Sequence, residues 1–93
     1  MSNERDLKLD AHKLATAVGY VVYDGSGHIG AVDKIYVRRG LVWVAEFKDG
    51  DDGVISDDQY AEEARMKENG TPHYFIRNLD EFLVALQEQE TRI

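Results

Sequence analysis

The sequence has 93 residues and a formal net charge of −7, from 18 acidic and 11 basic side chains. This length predicts one domain over 1–93 that buries roughly 60–70% of the surface its unfolded chain exposes, with little room for a large cleft. The absence of cysteine excludes a disulfide scaffold and a thiolate metal site, and favours a reducing compartment. No apolar run is long enough to span a membrane, and the polar segment 1–6 is not typical of a signal peptide. We therefore expect a cytoplasmic protein that does not contact a membrane.

Hydrophobic periodicity and turn residues predict helices that alternate with short strands. In chain order these are helix 6–18, strands 20–23, 31–37 and 42–48, helix 56–69, strand 74–76 and a helix that follows Asn78. Gly19 and Gly70 are placed to end the first two helices, and the tail 88–93 is expected to be frayed. The order α-β-β-β-α-β-α predicts an α/β fold with a small mixed sheet flanked by helices.

Two of the predicted strands bring two carboxylates together. If Arg39 and Gly40 form a two-residue hairpin loop, Asp33 falls directly opposite Glu46, with Cβ atoms roughly 4.5–5.5 Å apart. Like charges repel at that distance, but a divalent cation between them makes the pair favourable. Side chains alternate along a strand, so Lys48 shares a face with Glu46. The sequence therefore predicts a site for a hard cation beside a lysine, which suits hydrolysis of a phosphodiester.

Three motifs follow one another within a short stretch of the chain. They are Gly30-Ala31-Val32-Asp33, Glu46-Phe47-Lys48 and Gly53-Val54-Ile55-Ser56-Asp57-Asp58-Gln59. In order and spacing they resemble the G-x-x-D, E-x-K and G-x-x-S-x-x-Q motifs of the VRR-NUC domain, a branch of the PD-(D/E)XK nuclease superfamily. The resemblance covers nearly the whole chain. It implies a restriction-endonuclease-like core and a Mg²⁺- or Mn²⁺-dependent endonuclease. Because the chain is most similar to the stand-alone phage or bacterial members, the resemblance also implies a homodimer that acts on branched DNA, such as junctions or flaps.

The resemblance also implies roles for the motif residues. Asp33 and Glu46 would bind the metal, and the backbone carbonyl of Phe47, which lies between the two motif side chains, is a candidate further ligand. Lys48 would orient or activate the attacking water, and Gln59 would lie near the site from the second helix.

Family members carry an acid on the first helix, about thirteen residues before the glycine that ends it. Counting back from Gly19 gives Asp6, where Glu is usual. Asp10 shares the face of Asp6, and Glu4 is close in sequence, so all three remain candidates for that acid.

Several of these residues also have simpler interpretations. Glu46 and Lys48 fit a surface ion pair on an edge strand. Ser56 and Gln59 fit a capping box, in which Ser56 is the N-cap, and Gln59 can serve both as cap and as site residue. His12 and His73 have no second ligand at metal spacing, so we interpret them as structural or exposed.

The net charge favours a rival function, because DNA affinity comes largely from basic groups. The alternative is a catalytically silent nuclease-fold binding protein or an acidic DNA mimic. Lys48 argues against this alternative, since a mimic has no use for that lysine. The basic side chains that are candidates for contacts with the DNA backbone are Lys8, Lys13, Lys34, Arg38 and Arg39.

Overall fold

The structure is a computed structural model that describes residues 4–25, 32–48 and 53–93. The helices and strands of these residues are α1 Glu4–Val18, β1 Val21–Asp24, β2 Lys34–Arg38, β3 Leu41–Phe47, α2 Asp57–Glu68, β4 His73–Ile76 and α3 Leu79–Glu90. The predicted α/β class and the order α-β-β-β-α-β-α are confirmed. Within the described ranges, no helix combines the length and the apolar character needed to cross a membrane.

The strands form one sheet in the order β1-β2-β3-β4. β1, β2 and β3 are antiparallel neighbours, whereas β4 pairs in parallel with β3. Arg39 and Gly40 both have positive φ angles, 52° and 79°, as a two-residue turn matched to the twist of a hairpin requires. The register that this turn sets, with Val37 opposite Val42, is the one predicted from the sequence.

β2 begins later than the sequence predicts. Its first residue is Lys34, opposite Ala45, so Asp33 lies just outside the ladder. The amide of Asp33 still donates to the carbonyl of Ala45 at 3.1 Å, but the amide of Phe47 donates to the Asp33 side chain at 2.7 Å. A carboxylate oxygen thus accepts from the β3 backbone where the strand pairing ends. Ala31, which was predicted to begin the strand, lies outside the described residues.

One face of the sheet packs against α1 and α3 and is filled mainly by aromatic side chains. Trp43 and Tyr36 stack with ring centroids 4.5 Å apart, and Phe82 of α3 lies 5.9 Å from Trp43. Ala11 and Ala15 of α1 are fully buried, since their small side chains let the helix pack closely. The prediction that Trp43 and Phe47 are core residues is confirmed.

The two later helices begin with the predicted caps. The Ser56 hydroxyl accepts from the Gln59 amide at 3.2 Å, and the Gln59 side chain accepts from the Ser56 amide at 3.0 Å, which completes a capping box. Asn78 caps α3 by accepting from the amide of Glu81 at 2.9 Å. The carboxylate of Glu81 accepts from the amide of Arg77 at 2.7 Å, so this second cap is not a capping box.

The expectation of a frayed tail from residue 88 does not match the structure, because α3 continues to Glu90 and buries Gln89. The physical reason is a pair of long-range contacts. Glu90 accepts a hydrogen bond from the Tyr20 hydroxyl at 2.6 Å and forms an ion pair with Arg38 at 2.7 Å. These contacts hold the last turn of α3 against β1 and β2.

Candidate metal and active site

Asp33 is positioned by the backbone on both sides of it. Its carbonyl accepts from the amide of Gly25 at 3.1 Å, where β1 ends. A Cβ atom at Gly25 would collide with the carbonyl oxygen of Val32, so only glycine permits this close approach. The Asp33 carboxylate then reaches the amide of Phe47 at 2.7 Å. The structure therefore brings Asp33 into direct contact with the predicted E-x-K segment.

Glu46 lies near the end of β3 and is fully buried, with 0% of its surface exposed. Its Oε2 lies 2.7 Å from Nε2 of His73. With Glu46 as a carboxylate, which only accepts, the tautomer that satisfies this contact has the proton on Nε2, which then donates. The other oxygen, Oε1, has no hydrogen-bond partner among the described residues. A buried polar atom without a partner costs about 1–3 kcal/mol, so this oxygen is a candidate ligand atom.

The partner of Glu46 was not identified from the sequence. His73 begins β4 opposite Val44, on the same side of the sheet as Glu46, and its side chain is fully buried. Its ring packs at 4.8 Å against that of Phe75, and Nδ1 faces a carboxylate oxygen of Glu63 at 3.9 Å. His73 was interpreted as structural or exposed. The structure shows that it is buried and that it contacts Glu46, a motif residue, which was not predicted. The signal needed was the parallel register of β4, which a single sequence does not reveal.

Lys48 and Gln59 are the other two motif residues with predicted roles at the site. Lys48 directly follows β3, and its backbone amide donates to the carbonyl of Ile76 at 2.8 Å. Its side chain forms no ion pair with the carboxylates that the structure describes. Gln59 uses its amide oxygen for the α2 cap. Within the described ranges, no hydrogen bond joins Gln59 to Asp33 or Glu46. The roles predicted for Lys48 and Gln59 stay predictions.

Comparison with known proteins identifies the arrangement of strands and helices. No family model and no curated protein matches the sequence. A solved structure described as "VRR_NUC domain" matches with a TM-score of 0.81 at 19% identity, over 94% of this chain and 97% of that chain. The chain has the fold of a VRR_NUC domain. The architecture inferred from the three motifs is therefore confirmed, although an identity this low speaks to the fold alone.

Within this VRR_NUC fold, α1 approaches the site through a lysine. The Lys8 ammonium lies 3.1 Å from Glu4 and 3.6 Å from the second oxygen of Asp33. Burial lowers the pKa of Lys8, but the hydrogen bonds and negative charges of Glu4 and Asp33 outweigh it and raise the pKa above its ordinary value. Asp6 and Asp10 are exposed. Of the three candidate acids, Glu4 is joined to Asp33 through Lys8.

The side-chain oxygens of Asp33 and Glu46 are of the chemical type that binds a hard divalent cation. Asp33 and Glu46 offer carboxylate oxygens, which Mg²⁺ and Mn²⁺ prefer, and Oε1 of Glu46 is buried without a partner. In the parts of the chain that the structure describes, no group of three His, Asp or Glu side chains is arranged to hold an ion. Residues 26–31 and 49–52 lie outside those parts.

Most of the basic side chains that are candidates for contacts with DNA form ion pairs within the protein. Lys34 pairs with Asp24 and lowers the pKa of that carboxyl, and Arg38 pairs with Glu90. Lys8 is held between two carboxylates, as described above. Because each of these cations already has an anionic neighbour, their contribution to attracting DNA is reduced.

Proposed function

We propose that this protein is a metal-dependent nuclease that hydrolyses phosphodiester bonds in DNA. The observation that supports this most strongly is the 2.7 Å bond from the amide of Phe47 to the Asp33 carboxylate. It places one motif acid against the strand that carries Glu46 and Lys48, in a VRR_NUC fold. This contact joins the first two of the three motifs in space.

Each residue has a chemical task in this proposal. Asp33 and Glu46 hold Mg²⁺ or Mn²⁺ through carboxylate oxygens, with the carbonyl of Phe47 as a further candidate ligand and Asp6 as the predicted first-helix acid. When bound, such an ion lowers the pKa of a coordinated water and polarises a phosphoryl oxygen. Lys48 holds the attacking water or takes its proton, and its positive charge then offsets the negative charge of the transition state.

The proposed substrate is branched DNA, such as a junction or flap, and the proposed active form is a cytoplasmic homodimer. Val21 and Val42 flank Val37 in one row across the sheet and are 52% and 41% exposed, while Tyr23 in the next row is 56% exposed. A row of exposed apolar side chains on one sheet face supports contact with a second copy. Two sites in a dimer suit paired cuts on opposite arms of a branch.

The decisive experiment is cleavage of supercoiled plasmid and of a four-way junction in Mg²⁺ or Mn²⁺, compared with EDTA. We expect nicking that requires the metal and that falls by about 10²-fold or more in Asp33→Asn and Lys48→Met. Lys67→Met removes an exposed lysine of α2 and serves as the matched control. Equal cleavage by Lys48→Met and Lys67→Met would contradict the assignment of Lys48.

The second candidate function is an acidic DNA mimic that binds a DNA-binding protein. The net charge of −7 and the pairing of Lys34 and Arg38 within the molecule favour it. A mimic would leave the plasmid intact at every metal concentration and would compete with DNA for a basic protein. Metal-dependent nicking that is lost in Lys48→Met excludes this function.

A further inference from the structure

The contact between His73 and Glu46 leaves each side chain half satisfied. Nε2 of His73 donates to Oε2 of Glu46, while Oε1 of Glu46 and Nδ1 of His73 have no hydrogen-bond partner among the described residues. Buried polar groups that serve stability alone are normally fully bonded. One oxygen that is held firmly and one that is left free is the pattern expected of a carboxylate prepared for a ligand.

The surroundings of His73 fix its ring in one orientation. The ring lies edge-on to Phe75, whose ring in turn packs edge-on against Tyr60 of α2 at 5.7 Å. Glu63 approaches Nδ1 at 3.9 Å and is itself 3.5 Å from Lys67. β4 also ties His73 to β3, because it lies opposite Val44 in the ladder. The donor on Nε2 is thus held by packing rather than by a flexible chain.

A fixed donor restricts the conformations of Glu46. The glutamate side chain has several rotatable bonds, and ordering it at the moment of metal binding would cost conformational entropy. A hydrogen bond to Oε2 already orders the side chain in the folded protein, before a metal binds, and leaves Oε1 in a defined position. Outer partners that orient ligating carboxylates are a general feature of metal sites.

We propose that His73 is a positioning residue: its Nε2–H holds Oε2 of Glu46 so that Oε1 is presented to the divalent cation of the nuclease site. This inference rests on the proposed function, and it adds a residue that lies in none of the three motifs. It assigns His73 no contact with DNA and no part in moving a proton.

The test measures metal affinity directly, by calorimetric titration of the full chain with Mn²⁺ in the absence of DNA. His73→Met removes the donor at similar volume, whereas His73→Gln keeps an amide donor near the position of Nε2. The matched control is His12→Gln, which changes an exposed histidine on α1. We expect His73→Met to weaken Mn²⁺ binding by about 10- to 100-fold, and His73→Gln to restore it to within about threefold of the unaltered protein. His12→Gln should leave the affinity unchanged.

A merely structural role is separated from positioning by a double-mutant cycle. If His73 acts through Glu46, His73→Met should have no further effect on Mn²⁺ affinity once Glu46→Gln is present. In cleavage of a four-way junction, His73→Met should lower kcat and leave KM nearly unchanged, since no DNA contact is lost. Equal losses of affinity in both backgrounds would mean general damage to the fold and would overturn the inference.

Nuclear magnetic resonance of the unaltered protein tests the inference even if the His73→Met variant does not fold. The Nε2–H resonance of His73 should shift when Mg²⁺ is added to the unaltered protein and should not shift in Glu46→Gln. An unshifted resonance in a protein that binds Mg²⁺ through Glu46 would overturn the inference and leave the proposed function intact. Failure of the unaltered protein to bind Mn²⁺ or to nick DNA would overturn both.

Discussion

The two faces of the sheet differ in the kind of side chain that they bury. On the α1 and α3 side, Tyr36, Trp43 and Phe82 fill the interior with aromatic rings in mutual contact. On the α2 side the buried groups include Glu46 and His73, and α2 itself contributes no fully buried residue. The first face buries packed aromatic rings, and the second buries a glutamate and a histidine in contact with each other, with Oε1 of Glu46 left without a partner among the described residues. The aromatic face thus contributes apolar packing, whereas the α2 face holds the buried residues to which we assign a function in our proposal.

The largest expected effect lies on the aromatic face. Phe82→Ala removes a fully buried ring that contacts Tyr36, Trp43 and Phe47. We expect the free energy of unfolding to fall by about 3–5 kcal/mol, because the cavity adds to the lost transfer energy. Urea denaturation followed by circular dichroism measures this. Phe82→Leu is the control and should lose much less, while the nicking rate of the folded fraction should stay within about threefold in both variants.

The counterpart on the α2 side is Glu46→Gln. We expect nicking to fall by about 10²- to 10³-fold, since a neutral amide is a poor ligand for Mg²⁺. The metal-free free energy of unfolding should change by less than about 1 kcal/mol, because the amide keeps the size of the side chain and its oxygen can still accept from His73. The same denaturation experiment checks this, with Glu63→Gln as a control on α2. A loss of several kcal/mol from Glu46→Gln would show that the carboxylate stabilises the fold and would remove the contrast between the faces.

A smaller effect is expected at the start of α2. Ser56→Ala removes the hydroxyl that accepts from the Gln59 amide, and loss of such a cap costs about 1 kcal/mol. The matched variant Asn78→Ala removes the cap of α3 and should cost a similar amount. If Gln59 has a role at the site, only Ser56→Ala should also lower nicking, and thermal unfolding alongside plasmid cleavage distinguishes the two losses. Equal activity in both variants would assign Gln59 to the cap alone.

The smallest expected effect is on the loss of stability at alkaline pH, to which Tyr20 on the aromatic face contributes. Burial, followed by the hydrogen bond to Glu90, raises the pKa of Tyr20 to about 12. A folded-state pKa above the unfolded value of about 10 means that this contribution is complete below pH 10 and is lost as the pH rises towards 12. Tyr20→Phe should therefore reduce the fall in stability between pH 9.5 and 11, measured by urea denaturation at each pH. Tyr23→Phe, at an exposed tyrosine, should leave that fall unchanged.

Local chemistry made much of the fold predictable from the sequence. Arg39-Gly40 set the hairpin register, and Ser56 and Asn78 marked the starts of two helices, because each of these signals acts within a few residues. That register places Asp33 next to the E-x-K strand, although the bond of its side chain to the Phe47 amide was not predicted. These are the parts of the site that short-range geometry determines.

The contacts that the sequence did not reveal all join distant segments. His73 meets Glu46 only because β4 pairs in parallel with β3 in one particular register, and nothing local to either residue specifies it. Arg38 was considered as a contact to DNA, yet it pairs with Glu90 from the far end of the chain. The later start of β2 at Lys34 likewise depends on a side chain, that of Asp33, which accepts from the Phe47 amide where the strand pairing ends.

The bond between Tyr20 and Glu90 joins residues 70 positions apart, and it has a consequence for how the protein is made. During translation the meander β1-β2-β3 is made before β4, so Glu46 is present before its partner His73. Glu90, whose contacts hold the last turn of α3, is made later still. A product that stops before β4 therefore lacks both the partner of Glu46 and the contacts of Glu90 with Tyr20 and Arg38.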